Sequence, residues 1–167
     1  MYLFLTDMDA KKLRPKALKL AQLLARLKAA DDNGYCVCVS CGTIKHYKLI
    51  AGGHFIPKGA SSYHALRYES CNDYGCNIHA QCHGCNNFGM KHGTASQKYT
   101  IFMQNTYGHE KVERMLAHQK KPIKMYKADY LEMIADLNAK IKKEQKRITW
   151  RHGLIRAFCV SLEDFMR

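Results

Sequence analysis

Two Cys-x2-Cys pairs, Cys38-Val-Ser-Cys41 and Cys82-His-Gly-Cys85, constrain this chain more than any other feature of it. A tight turn in each pair brings two thiolates to one side, and two such turns complete the tetrahedral sphere that Zn²⁺ prefers. Four thiolates leave no open position for substrate, so the spacing predicts a structural zinc on Cys38, Cys41, Cys82 and Cys85. The stretch between the pairs is rich in Gly, His, Tyr and Asn and poor in aliphatic residues, so it can bury little core of its own. A structural zinc can contribute on the order of 10 kcal/mol of folding energy to such a segment. Cys36, Cys71, Cys76 and His83 lie close enough in sequence to be alternative ligands, and Cys159 reads as a buried thiol.

Eight cysteines at metal-like spacing fit a reducing compartment, where disulfides do not persist. The opening Met1-Tyr-Leu-Phe-Leu5 is too short for the apolar core of a signal peptide and runs into Asp7 and Asp9, so a cytoplasmic protein is expected. Lys and Arg number 27 against 14 Asp and Glu, a formal charge of +13. That excess points to a polyanionic partner. Membrane surfaces also attract basic chains, but no apolar run approaches the roughly 20 residues needed to span a bilayer, and nucleic acid is the better reading.

The chain divides into four stretches. Residues 1–34 hold an amphipathic basic helix over 16–30, with Ala17, Leu20, Leu24 and Leu27 at three- and four-residue steps, Pro15 in its first turn and a stop near Asn33-Gly34. Residues 35–93 form the zinc-bound, site-bearing segment. Residues 94–121 read as two short helices broken at Tyr107-Gly108. Residues 122–167 hold a basic helix over 127–147, with Tyr130, Ile134, Leu137 and Ile141 on one seam, and a tail that carries little pattern. Both seams suit either packing within one subunit or a homodimer interface.

Between and around the knuckles stand Gly53-His54-Phe55, Asn77-Ile78-His79 and Cys85-Asn86. With the paired cysteines, this set resembles the phage NinG (Rap) recombination endonucleases, and it is similar to a variant of the endonuclease VII and wider HNH pattern. The resemblance implies an α+β fold: a small zinc-stapled ββα-metal (His-Me finger) core with flanking helices. It implies His54 as general base, Asn77 orienting that histidine through backbone contacts, and Asn86 as ligand of one catalytic divalent ion, Mg or Mn. The wider pattern places Asp or His immediately before the base, where this chain has Gly53, which cannot bind a metal. His79 is the candidate replacement, since strand alternation puts it on the same face as Asn77.

Phosphodiester hydrolysis needs a water, a base to deprotonate it and positive charge on the phosphate and leaving oxygen. A histidine with an ordinary pKa of about 6.5 can accept that proton, and nearby glycines let a DNA backbone approach. Arg67 is a further catalytic candidate on the phosphate. Lys58, Arg67, Lys91, Lys98, Lys142, Lys143, Lys146 and Arg147 are the expected DNA contacts. His46, His64, His83, His92, His109 and His118 have no such context and read as surface or locally bonded residues, with His64 and His92 the nearest to exceptions. The resemblance implies branched recombination intermediates, Holliday junctions or D-loops, as substrate, in a bacterial host if phage-encoded. The other readings are a noncatalytic zinc module that binds DNA, and an HNH enzyme with a sequence preference.

Overall fold

The computed structural model describes residues 5–57, 77–117 and 125–165, with side chains at 10, 12–57, 77–117 and 125–148. Lys58, His64, Arg67, Cys71, Cys76 and His118 lie outside the described residues, as does the side chain of Cys159.

Helix α1 (Leu5–Ala29) begins well before Pro15, which is inside it. Proline there removes the amide that would bond the Lys11 carbonyl, a loss tolerated because Pro15 sits on the exposed face. The opposite face carries Ala10, Ala17, Ala21, Leu24 and Leu27, all buried. Against it lies the long C-terminal helix, here α5 (Lys127–Phe165), which runs past the expected end at 147. Leu24 and Leu27 join Leu137, Ile141 and Ile148 in one cluster, and Ala10 and Ala17 join Tyr130 and Ile134 in another. The two apolar seams therefore face each other within one chain, so the pattern that also suited a dimer is satisfied internally.

Arg147 locks this pair. Its Nη2 donates to the Leu27 and Ala30 carbonyls at 2.9 and 2.8 Å, Nη1 to Asp32 and Nε to Glu144. It caps the C-terminus of α1, where carbonyls lack intrahelical partners and a cation is favoured. Arg147, expected as a DNA contact, spends four of its five N–H groups on these bonds within the fold.

Two small antiparallel ladders fill the middle of the chain. Strand β1 (Tyr35–Val37) pairs with β2 (Ile44–His46), Cys36 opposite Lys45, around the first knuckle. Gly42 closes that knuckle with φ +75°, a conformation costly for other residues. Strand β3 (Ala51–His54) pairs with β4 (Ile78–Gln81), placing Gly53 opposite His79 and His54 opposite Ile78. Gly52 lets α1 approach closely: a Cβ there would stand 2.8 Å from the Gln22 carbonyl oxygen. A π-helical turn, Cys85–Gly89, continued by Met90–His92, forms α2. Helices α3 (Thr94–Tyr107) and α4 (His109–Ala117) follow, separated at Gly108 as the sequence suggests. Their buried faces, Tyr99, Met103, Val112 and Met115, close a core over Phe55 and Ile56. Among the described residues no helix is long and apolar enough to cross a membrane.

Candidate metal centre and pocket

The knuckle loops bring Cys38, Cys41, Cys82 and Cys85 together, their sulfurs all within 4.8 Å of one another. Cys41 Sγ and Cys82 Sγ are 3.7 Å apart. A tetrahedron with Zn–S bonds of about 2.3 Å has edges of about 3.8 Å, so the arrangement fits a zinc-sized ion. The Cys82 amide donates to Cys38 Sγ at 3.3 Å, the kind of bond that steadies a thiolate. Burial raises the pKa of Cys38, while Cys85 is pushed far up by burial and then by the neighbouring sulfurs. Cys41 goes the other way, to about 6, through the Thr43 hydroxyl and amide. Four sulfurs this close resist joint ionisation in the absence of a cation, and a divalent ion removes that conflict. Of the alternative ligands, Cys36 is fully buried with its thiol donating to the Arg26 carbonyl at 3.2 Å, and burial raises its pKa to about 11. His83 is exposed and outside the cluster.

The cluster fastens the knuckle of β1–β2 to the end of β4 and the start of α2. The Val39 amide adds a bond to the Ala80 carbonyl at 3.0 Å. Next to it His54, at the end of β3, and Asn86, in the first turn of α2, line one pocket of about 570 Å³ together with Gln22, Asn87 and Lys91. Behind His54, Asn77 is wholly buried and clamps the chain: Oδ1 accepts from the Ile56 amide at 2.7 Å, and Nδ2 donates to the Ile56 carbonyl at 3.0 Å. Its own carbonyl takes the Phe55 amide. The two residues after His54 are thereby fixed.

His79 is not in that pocket. Its side chain enters an aromatic enclosure of Tyr99, Phe102 and Tyr107. Nδ1 lies 2.9 Å from the Tyr99 hydroxyl and Nε2 2.8 Å from that of Tyr107. Tyr99 donates its own proton to the Gly53 carbonyl at 2.9 Å, so it accepts from His79 Nδ1–H, and Nε2 accepts from Tyr107. Burial holds the ring neutral, its pKa lowered to about 4. Both nitrogens are engaged, so the expectation of His79 as a ligand beside Asn86 is not met. The partners that claim the ring come from α3, out of reach of a local reading. What His79 does is hold, through Tyr99, the carbonyl immediately before His54.

Lys91 reaches the pocket, Lys98 is exposed on α3, and Lys142, Lys143 and Lys146 line a shallow hollow of about 310 Å³ on α5. His92 is exposed against the Phe88 ring, centroids 4.5 Å apart, and His46 packs between Tyr35 and Tyr47. The sequence reading missed Gln81, Ser40 and Asn87, whose types carry no motif.

The fold and its centre define a class: a mixed α and β protein in which a cluster of four cysteines, able to hold a metal ion, lies beside a pocket lined by a histidine and an asparagine. The family model described as "Bacteriophage Lambda NinG protein" matches residues 8–147, and the chain belongs to that family. No curated protein and no solved structure matches it.

Proposed function

We propose that this chain is a metal-dependent DNA endonuclease of the His-Me finger type, acting on branched recombination intermediates such as Holliday junctions and D-loops inside the bacterial host. One observation carries the reading: His54 and Asn86, far apart in sequence, meet in a single open pocket with Lys91 beside them. Around that pocket the thiol cluster, the Asn77 clamp and the His79–Tyr99 chain hold the backbone on both sides of His54, which is the preorganisation a general base needs.

His54 accepts a proton from a water as that water's oxygen attacks phosphorus and the P–O3′ bond breaks. Asn86 offers an amide oxygen, a donor suited to Mg²⁺ or Mn²⁺. Such an ion would offset the charge developing on the phosphate and the leaving oxygen. Lys91 in the pocket and Lys98, exposed on α3, are proposed as phosphate contacts, and Arg67 and Lys58 for the same work. Lys142, Lys143 and Lys146 on α5 are proposed as further contacts with the DNA backbone. Cutting two strands symmetrically would need a homodimer, which must use a surface other than the seams of α1 and α5.

The test compares a labelled four-way junction with a linear duplex, with and without Mg²⁺ or Mn²⁺. Ion-dependent cutting of the junction is expected. Junction binding with no cleavage under any ion would favour a noncatalytic zinc module, and preferential cutting of one linear sequence would favour a sequence-reading enzyme.

A further inference from the structure

Gln81 is fully buried at the end of β4, and its two amide atoms fare differently. Nε2 donates to Ser40 Oγ at 2.8 Å, and Ser40 in turn donates to the Ala95 carbonyl at 3.0 Å. Oε1 has no hydrogen-bond partner among the described residues. A buried carbonyl oxygen without a donor is unfavourable, and in a folded protein such an atom usually has a partner. Its neighbourhood identifies one. A Cβ placed on Gly53 would collide with Gln81 Oε1 and sit 3.0 Å from Asn86 Oδ1, so both amide oxygens border the space beside Gly53. Asn86 meanwhile directs Nδ2 toward Asn87 Oδ1 at a long 3.3 Å.

We propose that Gln81 is a positioning residue and Asn87 a second oxygen ligand of the catalytic cation. This deepens the nuclease reading and rests on it. A half-turn of the Asn86 amide exchanges its oxygen and nitrogen at little steric cost, since the two ends are nearly the same size. Nδ2 then donates to Gln81 Oε1, which satisfies the buried acceptor. Asn86 Oδ1 takes the place now held by Nδ2, beside Asn87 Oδ1. The two amide oxygens would then stand 3.3 Å apart, and a small closing of the pair would bring them to the edge of about 2.9 Å of an octahedron with bonds of 2.0–2.1 Å. Asn86, Asn87 and His54 line the same pocket, so the oxygen pair faces the base. A hard cation is the partner that relieves two adjacent carbonyl oxygens with no proton between them.

The proposal also accounts for Gly53. A side chain there would drive out the Gln81 oxygen that orients Asn86. The ligand missing from that position is supplied from α2 instead, one residue beyond Asn86.

The probe is Mn²⁺ alone, titrated into full-length zinc-loaded protein and followed by the electron paramagnetic resonance of the unbound ion. Wild type should bind Mn²⁺. Gln81→Met should weaken binding by about 10–100-fold, the range for residues that orient a ligand, with zinc content and Tm little changed. Gln81→Glu, which keeps an acceptor oxygen facing Asn86, should recover most of that loss. Asn87→Ala, at an exposed position, should weaken binding at least about tenfold. If Gln81→Met does not fold, Asn87→Ala decides. Wild-type affinity in both Gln81→Met and Asn87→Ala would overturn this inference while leaving the nuclease reading intact. Absence of Mn²⁺ binding by wild type, with no cleavage, would remove both.

Discussion

Acid should destabilise this protein through His79, and the size of the effect follows from its surroundings. The ring is enclosed by Tyr99, Phe102 and Tyr107, so burial opposes a positive charge on it. Its pKa is lowered to about 4. In the unfolded chain the same imidazole protonates near 6.5. The unfolded state therefore takes up the proton first as pH falls: the stabilisation is complete above about pH 6.5 and is lost progressively down to about pH 4. The gap corresponds to about 3 kcal/mol in full, and about 2 kcal/mol at pH 5. Urea unfolding of wild type and His79→Phe at pH 7.5, 6 and 5 isolates the term, because phenylalanine keeps the ring packing and the zinc thiols are common to both. The stability difference between the two should shrink by about 2 kcal/mol from pH 7.5 to 5. A constant difference, with the His79 ring resonances titrating near 6.5, would refute the reasoning.

Four further outcomes are expected. Purified protein should contain one zinc per chain, and chelation or Cys85→Ser should lower Tm and solubility; zinc-free protein with unchanged unfolding would exclude the structural metal. Arg147→Ala should cost about 2 kcal/mol in urea unfolding, from its bonds to the Leu27 and Ala30 carbonyls, with little effect on DNA affinity, whereas replacing Lys142, Lys143 and Lys146 with Gln should flatten the slope of log affinity against log salt by about two to three. Asn77→Ala should destabilise by about 3 kcal/mol by stranding the Ile56 amide and carbonyl; a loss below 0.5 kcal/mol would mean the clamp contributes little.

What could be read from the sequence was what its chemistry confines to short range. Two cysteines at a two-residue step can serve few purposes, and the four sulfurs do converge. His54 and Asn86, singled out from the sequence, line one pocket, and Asn77 bonds the backbone after His54. Long-range claims on a side chain were not legible. Arg147 looked like one more cation on a basic helix until α1 placed its last carbonyls in reach. His79 looked available until α3 surrounded it. Pro15 suggested a helix start because proline is favoured there, yet packing of Ala10 against α5 carries the helix through it. Gln81 belongs to no motif, and only its burial gives it meaning.

The central claim is that His54 removes a proton from the attacking water, and single-turnover cleavage of a four-way junction by wild type and His54→Ala, at saturating protein with Mn²⁺, tests it most directly. The variant should bind the junction about as tightly as wild type, keep its zinc and its Tm, and cut at least about 100-fold more slowly, the range associated with a lost general base. Cleavage by His54→Ala at the wild-type rate would contradict the account.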